Sequence, residues 1–223
     1  TAVEAKANYT FKEWDPAVQT SYSENKTHNA VFVYTGEDVV PQKPGEDKPD
    51  VPKDFVKVVF NQGTNGTIAS NETVNYWVKP NVKVTVTAPK VTANDDYKHV
   101  AWTYKLTPSA TEDKEVKTLE SVTDTFTAEE TTITAKYLKK VLEEKPTTDT
   151  DAYVEVKFNA ESNGKLPEDK IVKSYWVLKD TPVSFTEPTV TANPGWKFIK
   201  YDPAVKTSYS EDTEHKAQYK KII

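Results

Sequence analysis

Histidine, cysteine and the acidic residues are the side chains from which catalysis or metal binding would start. The chain has three histidines, His28, His99 and His215, and no cysteine. It carries no GxSxG motif and no glycine-rich phosphate loop before a helix. An isolated histidine without an orienting partner is rarely catalytic, so we expect all three to be surface residues. The sequence therefore predicts no catalytic residue, no cofactor and no enzyme activity.

Two acidic clusters carry oxygen atoms of the kind that bind calcium. They lie at residues 94–96, Asn-Asp-Asp, and at residues 149–151, Asp-Thr-Asp. Neither cluster has the spacing of an EF-hand loop, with its glycine and its final glutamate. Asn and Asp also hydrogen-bond backbone groups in turns. We therefore predict turns at both places and no metal site.

Aromatic residues offer a third chemistry, because they can stack on a sugar ring or anchor a protein partner. The sequence Tyr-Trp-Val occurs at residues 76–78 and again at residues 175–177. Neighbouring side chains of a strand face opposite ways, so Tyr and Trp cannot share one face. Either an aromatic is exposed for a ligand, or one face meets the core and the other a loop, and the second alternative is favoured in small modules. The candidate binding residues are Trp77, Trp176, Tyr76 and Tyr175.

These aromatic residues belong to an internal repeat. The decapeptide DPAVQTSYSE at residues 15–24 returns as DPAVKTSYSE at residues 202–211, with one of ten positions changed. VKVVFNQGTNG, starting at Val56, likewise matches VEVKFNAESNG, starting at Val154. The chain therefore holds two complete copies of a unit, and residues 1 to about 34 match the second half of a third copy.

Composition shifts divide the chain. We predict a partial module at 1–40, a Pro-rich linker at 41–54, a complete module at 55–138 with an insertion near 111–124, a connector at 139–152, and a complete module at 153–223. The linker PQKPGEDKPDVPKD should be extended, span about 40 Å and separate its neighbours. Helical structure is possible in the polar insertion, after Val141, and in one turn through Ala17 and Val18.

The fold class follows from periodicity. Val82, Val84 and Val86 alternate with polar residues, and Thr and Val, both suited to a pleated surface, are abundant. The sequence therefore predicts a mainly β fold, or a β-rich α+β fold. Its architecture would be tandem small β-grasp-like or sandwich-like modules joined by Pro-rich linkers.

Charge and composition exclude several classes of partner. The net charge is -5, the pI is about 5.4 and no arginine is present, so we predict no nucleic-acid partner. No run of eighteen apolar residues occurs, so we predict no membrane insertion. Targeting elements are expected outside the chain, which we expect to be a monomer.

The order of signals resembles a known module. It comprises an opening VxVxF, an Asn-Gly turn, a Val-rich segment ending in proline, an aromatic-Lys-Phe segment leading to Trp-Asp-Pro, and a closing Thr-x-x-Ala-x-Tyr. This order resembles the repeats of Gram-positive cell-wall-anchored surface proteins, in particular the Listeria-Bacteroides repeat with its β-grasp-like fold. The resemblance implies a secreted stalk or adhesin, anchored through regions outside this chain and engaged in host interaction.

Two alternatives remain beside the stalk. One is a module that binds a host extracellular protein or glycan through residues 111–124 and the Trp77 or Trp176 surface. The other is a set of accessory domains of a secreted enzyme. An intramolecular Lys-Asn crosslink, known in such surface proteins as a group, would reduce the intact mass below its theoretical value.

Overall fold

Strands dominate the structure. A computed structural model describes residues 1–184 and 186–222. This part of the chain contains no α-helix, and its only helical elements are two single 3-10 turns, Thr150–Ala152 and Pro167–Asp169. The prediction of a mainly β protein is therefore confirmed.

We describe the strands by segment, taking the predicted boundaries. The first segment (1–40) and the residues after it contain β1 Tyr9–Asp15, β2 Asn29–Tyr34 and β3 Val39–Gln42. The middle segment (55–138) contains β4 Val56–Asn61, β5 Gly66–Ile68, β6 Asn75–Val78, β7 Lys83–Thr87, β8 Val91–Ala93, β9 Tyr97–Tyr104, β10 Lys114–Val116, β11 Ser121–Thr125 and β12 Glu130–Lys139. The connector and the last segment (153–222) contain β13 Val141–Leu142, β14 Tyr153–Asn159, β15 Gly164–Lys165, β16 Val172–Leu178, β17 Thr191–Ala192, β18 Trp196–Asp202 and β19 Thr213–Lys221.

Contacts between residues divide the chain into two compact units. One unit comprises Thr1–Gly63, Ile68–Val91 and Ala101–Ala135, and the other comprises Thr64–Thr67, Thr92–Val100 and Lys136–Ile223. The first segment, the linker and most of the middle segment therefore belong to one unit, and the last segment belongs to the other.

The largest sheet has the strand order β10-β9-β12-β4-β6-β3. Its centre is β4, which runs parallel to β12 and antiparallel to β6. Along β4 the side chains of Val56, Val58 and Phe60 point inward and are buried, as a strand's period of two requires. Fully buried residues of this core include Val58, Val78, Val86, Ala101, Trp102, Val122, Phe126 and Ile133.

The last segment has a sheet of the same plan, with the order β13-β16-β14-β19-β18. Its central strand, β14, runs parallel to β19 and antiparallel to β16. The aromatic packing also corresponds. The ring of Phe60 lies edge-on to Trp102 at 5.0 Å between centroids, and Phe158 lies edge-on to Tyr201 at the same distance.

The insertion is not helical, which corrects the expectation of helix there. β10 pairs with β9, and β11 pairs with β7 from Ser121 to Thr125. Val122 and Asp124 of β11 point inward while their neighbours point outward, which is the period of a strand. Trp102 donates its indole N–H to the Leu119 carbonyl at 2.9 Å and so fastens the loop before β11.

The other two expected helices are also absent. Val141–Leu142 is strand β13, which pairs with β16. Residues 16–19 have no helical turn, and the Asp15-Pro16 and Asp202-Pro203 peptide bonds are both cis. Both expectations were wrong because they used local signals alone. These signals were a capping aspartate before proline and a short run of good helix formers, and pairing with neighbouring strands outweighs them.

The Pro-rich linker packs against its surroundings, unlike the spacer that the sequence predicts. Pro41 lies in β3, on the edge of the large sheet, where a missing N–H is tolerated. Val51 is buried, and so is Phe55, whose ring lies edge-on to Tyr34 at 5.4 Å. The linker is therefore anchored by buried apolar residues at Val51 and, directly after it, at Phe55.

Candidate functional site

Tyr209, His215 and Pro203 form a hydrogen-bonded cluster in the last segment. The Tyr209 hydroxyl lies 2.8 Å from His215 Nε2, and His215 Nδ1 lies 2.6 Å from the Pro203 carbonyl oxygen. The backbone N–H of Lys206 donates to the same hydroxyl at 3.0 Å. A carbonyl only accepts, so Nδ1 donates to Pro203. Both ring nitrogens of His215 are therefore engaged in hydrogen bonds.

This cluster is buried, so the prediction that His215 lies on the surface was wrong. His215 is 0% exposed and Tyr209 is 1% exposed. The ring of Phe158 stacks on His215 with centroids 5.1 Å apart and planes at 26°. Strand β14 thus covers the imidazole, so neither ring nitrogen is available for general base catalysis. His215 instead connects the decapeptide loop to β19 through its hydrogen bonds.

The sequence carried a signal that was missed. In both copies a tyrosine of the decapeptide precedes the histidine by six residues, as Tyr22 precedes His28 and Tyr209 precedes His215. The repeated motif thus contains the tyrosine that orients each of these two histidines.

The first segment forms the same hydrogen-bonded cluster, but there it is partly exposed to solvent. The Tyr22 hydroxyl lies 3.0 Å from His28 Nε2 and accepts the Gln19 N–H at 2.8 Å, while His28 Nδ1 lies 2.6 Å from the Pro16 carbonyl. Tyr22 is 48% exposed and His28 is half-buried. The hydrogen bonds thus form without the strand that covers them in the last segment.

Burial also acts on the tyrosines around the buried cluster. It raises the pKa of Tyr209, against a smaller lowering by the Lys206 N–H. Burial, with a smaller contribution from Glu187, raises the pKa of Tyr201 to about 12. Both phenols therefore stay protonated at neutral pH and act as hydrogen-bond donors, not as nucleophiles.

The third histidine lies on a strand of the middle segment. His99 lies half-buried on β9, with its ring 5.6 Å from that of Tyr137. This places His99 between the surface and the core, partly covered by an aromatic neighbour.

The candidate aromatics of the middle segment face opposite ways, as the strand geometry requires. Tyr76 is buried and packs edge-on to Phe60. Trp77 is half-buried on the other face, where its indole N–H donates to Gln42 Oε1 at 2.9 Å and Lys48 Nζ lies 4.1 Å from its ring. Two linker residues thus contact the indole N–H and the ring face of Trp77.

The matching pair in the last segment is covered to a similar degree. Tyr175 is half-buried, with its ring edge-on to Phe158 at 6.0 Å and Lys173 Nζ at 5.2 Å from its centroid. Trp176 is half-buried on β16, opposite Leu142 of β13. None of the four candidates is fully exposed, and the two tryptophans lie on strands whose edges are occupied by β3 and β13.

The acidic residues are engaged by lysines and backbone groups. Asp149 accepts from Lys136 Nζ at 2.7 Å, and the Asp95 carbonyl accepts from Lys140 Nζ at 2.9 Å. Within the described residues, no group of three or more His, Asp or Glu side chains could hold a metal ion. Residues 95–96 form a turn, as predicted, whereas the Asp149 side chain makes no capping hydrogen bond to the 3-10 turn that follows it.

One buried carboxylate was not singled out from the sequence. Asp124 of β11 accepts from the Tyr104 hydroxyl at 2.6 Å, from Lys114 Nζ at 2.7 Å and from the Thr125 N–H at 2.7 Å. Burial would raise the pKa of Asp124, but these hydrogen bonds outweigh it and hold that pKa below its usual value. The insertion is thereby fixed to β9 by a charged group in the core.

A groove of about 600 Å³ opens beside the loop after β4. Amide, hydroxyl and carboxylate groups line it together with the edge of Phe60. Its polar lining residues include Gln42, Asn61, Gln62, Ser70, Glu72 and Asn75. Such a lining could hydrogen-bond the hydroxyl groups of a sugar.

Comparisons of the chain with protein-family models, with curated proteins and with solved structures found no match. In the described part of the chain, no helix has the length and apolar character needed to cross a membrane.

Proposed function

We propose that this chain is a non-enzymatic, load-bearing segment of an extracellular bacterial surface protein, a stalk or adhesin held to the cell wall by regions outside the chain. Its segments would be successive small β-grasp-like modules, acting as a monomer. The observation that supports this proposal is the parallel pairing of the opening and closing strands, β4 with β12 and β14 with β19.

Parallel pairing of these strands suits a segment under tension. A pull on the chain ends drags the start of β14 and the end of β19 in opposite directions. Because the two strands run parallel, their hydrogen bonds lie across the pull and share the force. Strands that are pulled from one common end separate one bond at a time. Resistance to forced unfolding is set by the unfolding rate, which this arrangement lowers.

The stretches between segments add to this support. β3 pairs with β6, and β13 pairs with β16, so each incoming stretch of chain is hydrogen-bonded to the edge of the sheet that follows it. Tension along the chain is therefore passed into a sheet before it reaches the opening strand.

Single-molecule pulling tests the proposal directly. The chain has no cysteine, so introduced cysteines provide unique attachment points. Handles at Asp151→Cys and Lys221→Cys load β14 and β19 in shear. Handles at Ser162→Cys and Lys221→Cys, both exposed positions, pull the two strands from the same end. We expect a clearly higher unfolding force for the first pair. Equal forces would show that the parallel ladder carries no load, and would contradict the proposal.

The groove beside β4 favours a second candidate function, the binding of a host glycan or protein. Titration of a glycan and glycoprotein panel would show binding to one member. Ser70→Trp, which fills the groove, should abolish that binding. The control variant Ser162→Trp, at an exposed position in the loop between β14 and β15, should leave it intact. Binding that survives Ser70→Trp would rule out the groove as the site.

A further inference from the structure

The hairpin β1–β2 repeats the hairpin β18–β19 pair by pair. Trp14 lies opposite Ala30 as Tyr201 lies opposite Ala217, and Asp15 lies opposite Asn29 as Asp202 lies opposite Lys216. Both hairpins shift register at the same place, between Phe11 and Glu13 in the first and between Phe198 and Lys200 in the last. The first segment therefore folds as the second half of a unit.

The two hairpins differ in what covers them. In the last segment β14 pairs with β19 from Thr213 to Lys216 and buries the face below. In the first segment no strand of the described chain pairs with the outer edge of β2. We call the corresponding residues the open face: Trp14, His28 and Ala30, which are half-buried, and Tyr22 and Phe32, which are exposed. Phe32 is 38% exposed, and the nearby Val18 is 63% exposed.

The missing cover also shortens the strand. β19 begins at Thr213, two residues before His215, whereas β2 begins at Asn29, one residue after His28. The residues equivalent to 213–215 are 26–28, and in the first segment they form no ladder. Their edge is held in place by the Tyr22–His28–Pro16 hydrogen bonds, and no strand among the described residues pairs with it.

The last segment shows what kind of strand fits this edge. Phe158 of β14 is fully buried, stacked on His215 and edge-on to Tyr201. The equivalent rings in the first segment are His28 and Trp14, and no strand of the described chain pairs with the outer edge of β2 to supply a counterpart to Phe158. The complementary strand therefore needs the pattern Val-x-Val-x-Phe-Asn, as in β14.

We propose that the open face and the edge at residues 26–29 bind a β-hairpin of the opening half-unit type, whose Val-x-Val-x-Phe-Asn strand runs parallel to β2 and places its phenylalanine ring over His28. Main-chain hydrogen bonds along the edge give affinity, and the pocket for the aromatic ring gives specificity. The proposal goes beyond the load-bearing function and does not depend on it.

A second folded copy of the chain is not the expected occupant. The two strands with this pattern, β4 and β14, are each paired on both edges. The donor must therefore be a half-unit hairpin that is not already part of a sheet.

The test uses the full chain and a synthetic peptide of residues 153–178, which contains β14 and β16. With isotope-labelled chain, we expect saturable binding whose chemical-shift changes are confined to residues 9–34, with new amide protection at 26–29. The same peptide carrying Phe158→Ala should bind roughly tenfold more weakly or worse, because it loses the buried ring. The chain itself is unchanged in this comparison, so a folding defect cannot imitate the result.

Three results of the peptide titration would overturn the proposal. They are no binding of the native peptide, equal binding of the Phe158→Ala peptide, and shift changes outside residues 9–34. Self-association of the chain through the same residues, detected by sedimentation without peptide, would also overturn it in favour of a second copy as the occupant. In a separate experiment, the chain variant His28→Ala should bind the peptide more weakly than the native chain does, while the variant His99→Ala should bind it equally well.

Discussion

Tyr22 and Tyr209 share one set of hydrogen bonds and differ in burial. Each accepts a backbone N–H and lies within hydrogen-bonding distance of a histidine that reaches a proline carbonyl. In water the lost bonds of a removed hydroxyl are replaced, whereas in a core they are not. The two tyrosines therefore form a natural matched pair for measuring what burial adds to a hydrogen bond.

We expect Tyr209→Phe to destabilise the last segment by about 1–3 kcal/mol, because it leaves the Lys206 N–H and His215 Nε2 without partners in a buried site. Tyr22→Phe should cost less than about 0.5 kcal/mol, as for most exposed substitutions. Denaturant unfolding followed by resolved NMR signals of each segment gives both values. Equal costs would mean that water reaches the Tyr209 cluster.

At the scale of the element, the insertion is held by a buried charge. Strand β11 brings Asp124 under β9, where Tyr104 and Lys114 donate to it. A carboxylate whose folded pKa is lowered stabilises the fold above its unfolded pKa, and this stabilisation is lost as the pH falls through the folded pKa.

We therefore expect the unit that contains β11 to lose stability between about pH 5 and pH 2, partly through Asp124. Asp124→Asn should lower stability at neutral pH by about 1–3 kcal/mol and flatten the acid dependence, because the titrating group is gone. Denaturant titrations across this pH range test the prediction. Lys105→Gln, which breaks an exposed ion pair with Asp113, is the control and should leave the profile unchanged.

The strands of the repeat were predictable from period-two patterns, and their partners were not. Val84 and Val86 indicate β7, but nothing near them says that β11 is its neighbour. The insertion carries only Val116, Leu119 and Val122 as large apolar residues, too few to show its period. Its β structure depends on pairing with the edges of other strands. Tertiary contacts, and not local composition, therefore determine its secondary structure.

The candidate site was also predictable only in part, because backbone geometry can be predicted from the sequence and long-range contacts cannot. The alternation of Tyr76 and Trp77 across the strand follows from backbone geometry alone. The cover over Trp77 comes from Gln42, 35 residues away, and from Lys48. The burial of His215 depends on Phe158, which reaches it only through the parallel pairing of β14 and β19. Long-range contacts of this kind leave no mark in a single sequence.

At the scale of the whole molecule, the two compact units each have their own core. One is centred on Phe60 and the other on Phe158, and each ring lies within its own unit. Substitutions far apart, with no shared partners, act independently on stability.

We expect Phe158→Ala, which costs about 3–5 kcal/mol, to weaken or unfold the last segment and leave the signals of β4, β6 and β7 in place. Phe60→Ala should have the converse effect. Calorimetry should show two transitions in the native chain, with one shifted in each variant. A single transition that moves in both variants would show that the chain unfolds as one cooperative body.

The pairing of β3 with β6, and of β13 with β16, has a consequence for self-association. Exposed sheet edges are templates on which other chains can aggregate. A strand tethered a few residues away is present at millimolar effective concentration, so it outcompetes any strand that arrives by diffusion. The replacement edge is itself a poor template, since β3 contains Pro41 and β13 is two residues long. The edges at β3 and β13 are therefore protected against pairing between crowded chains.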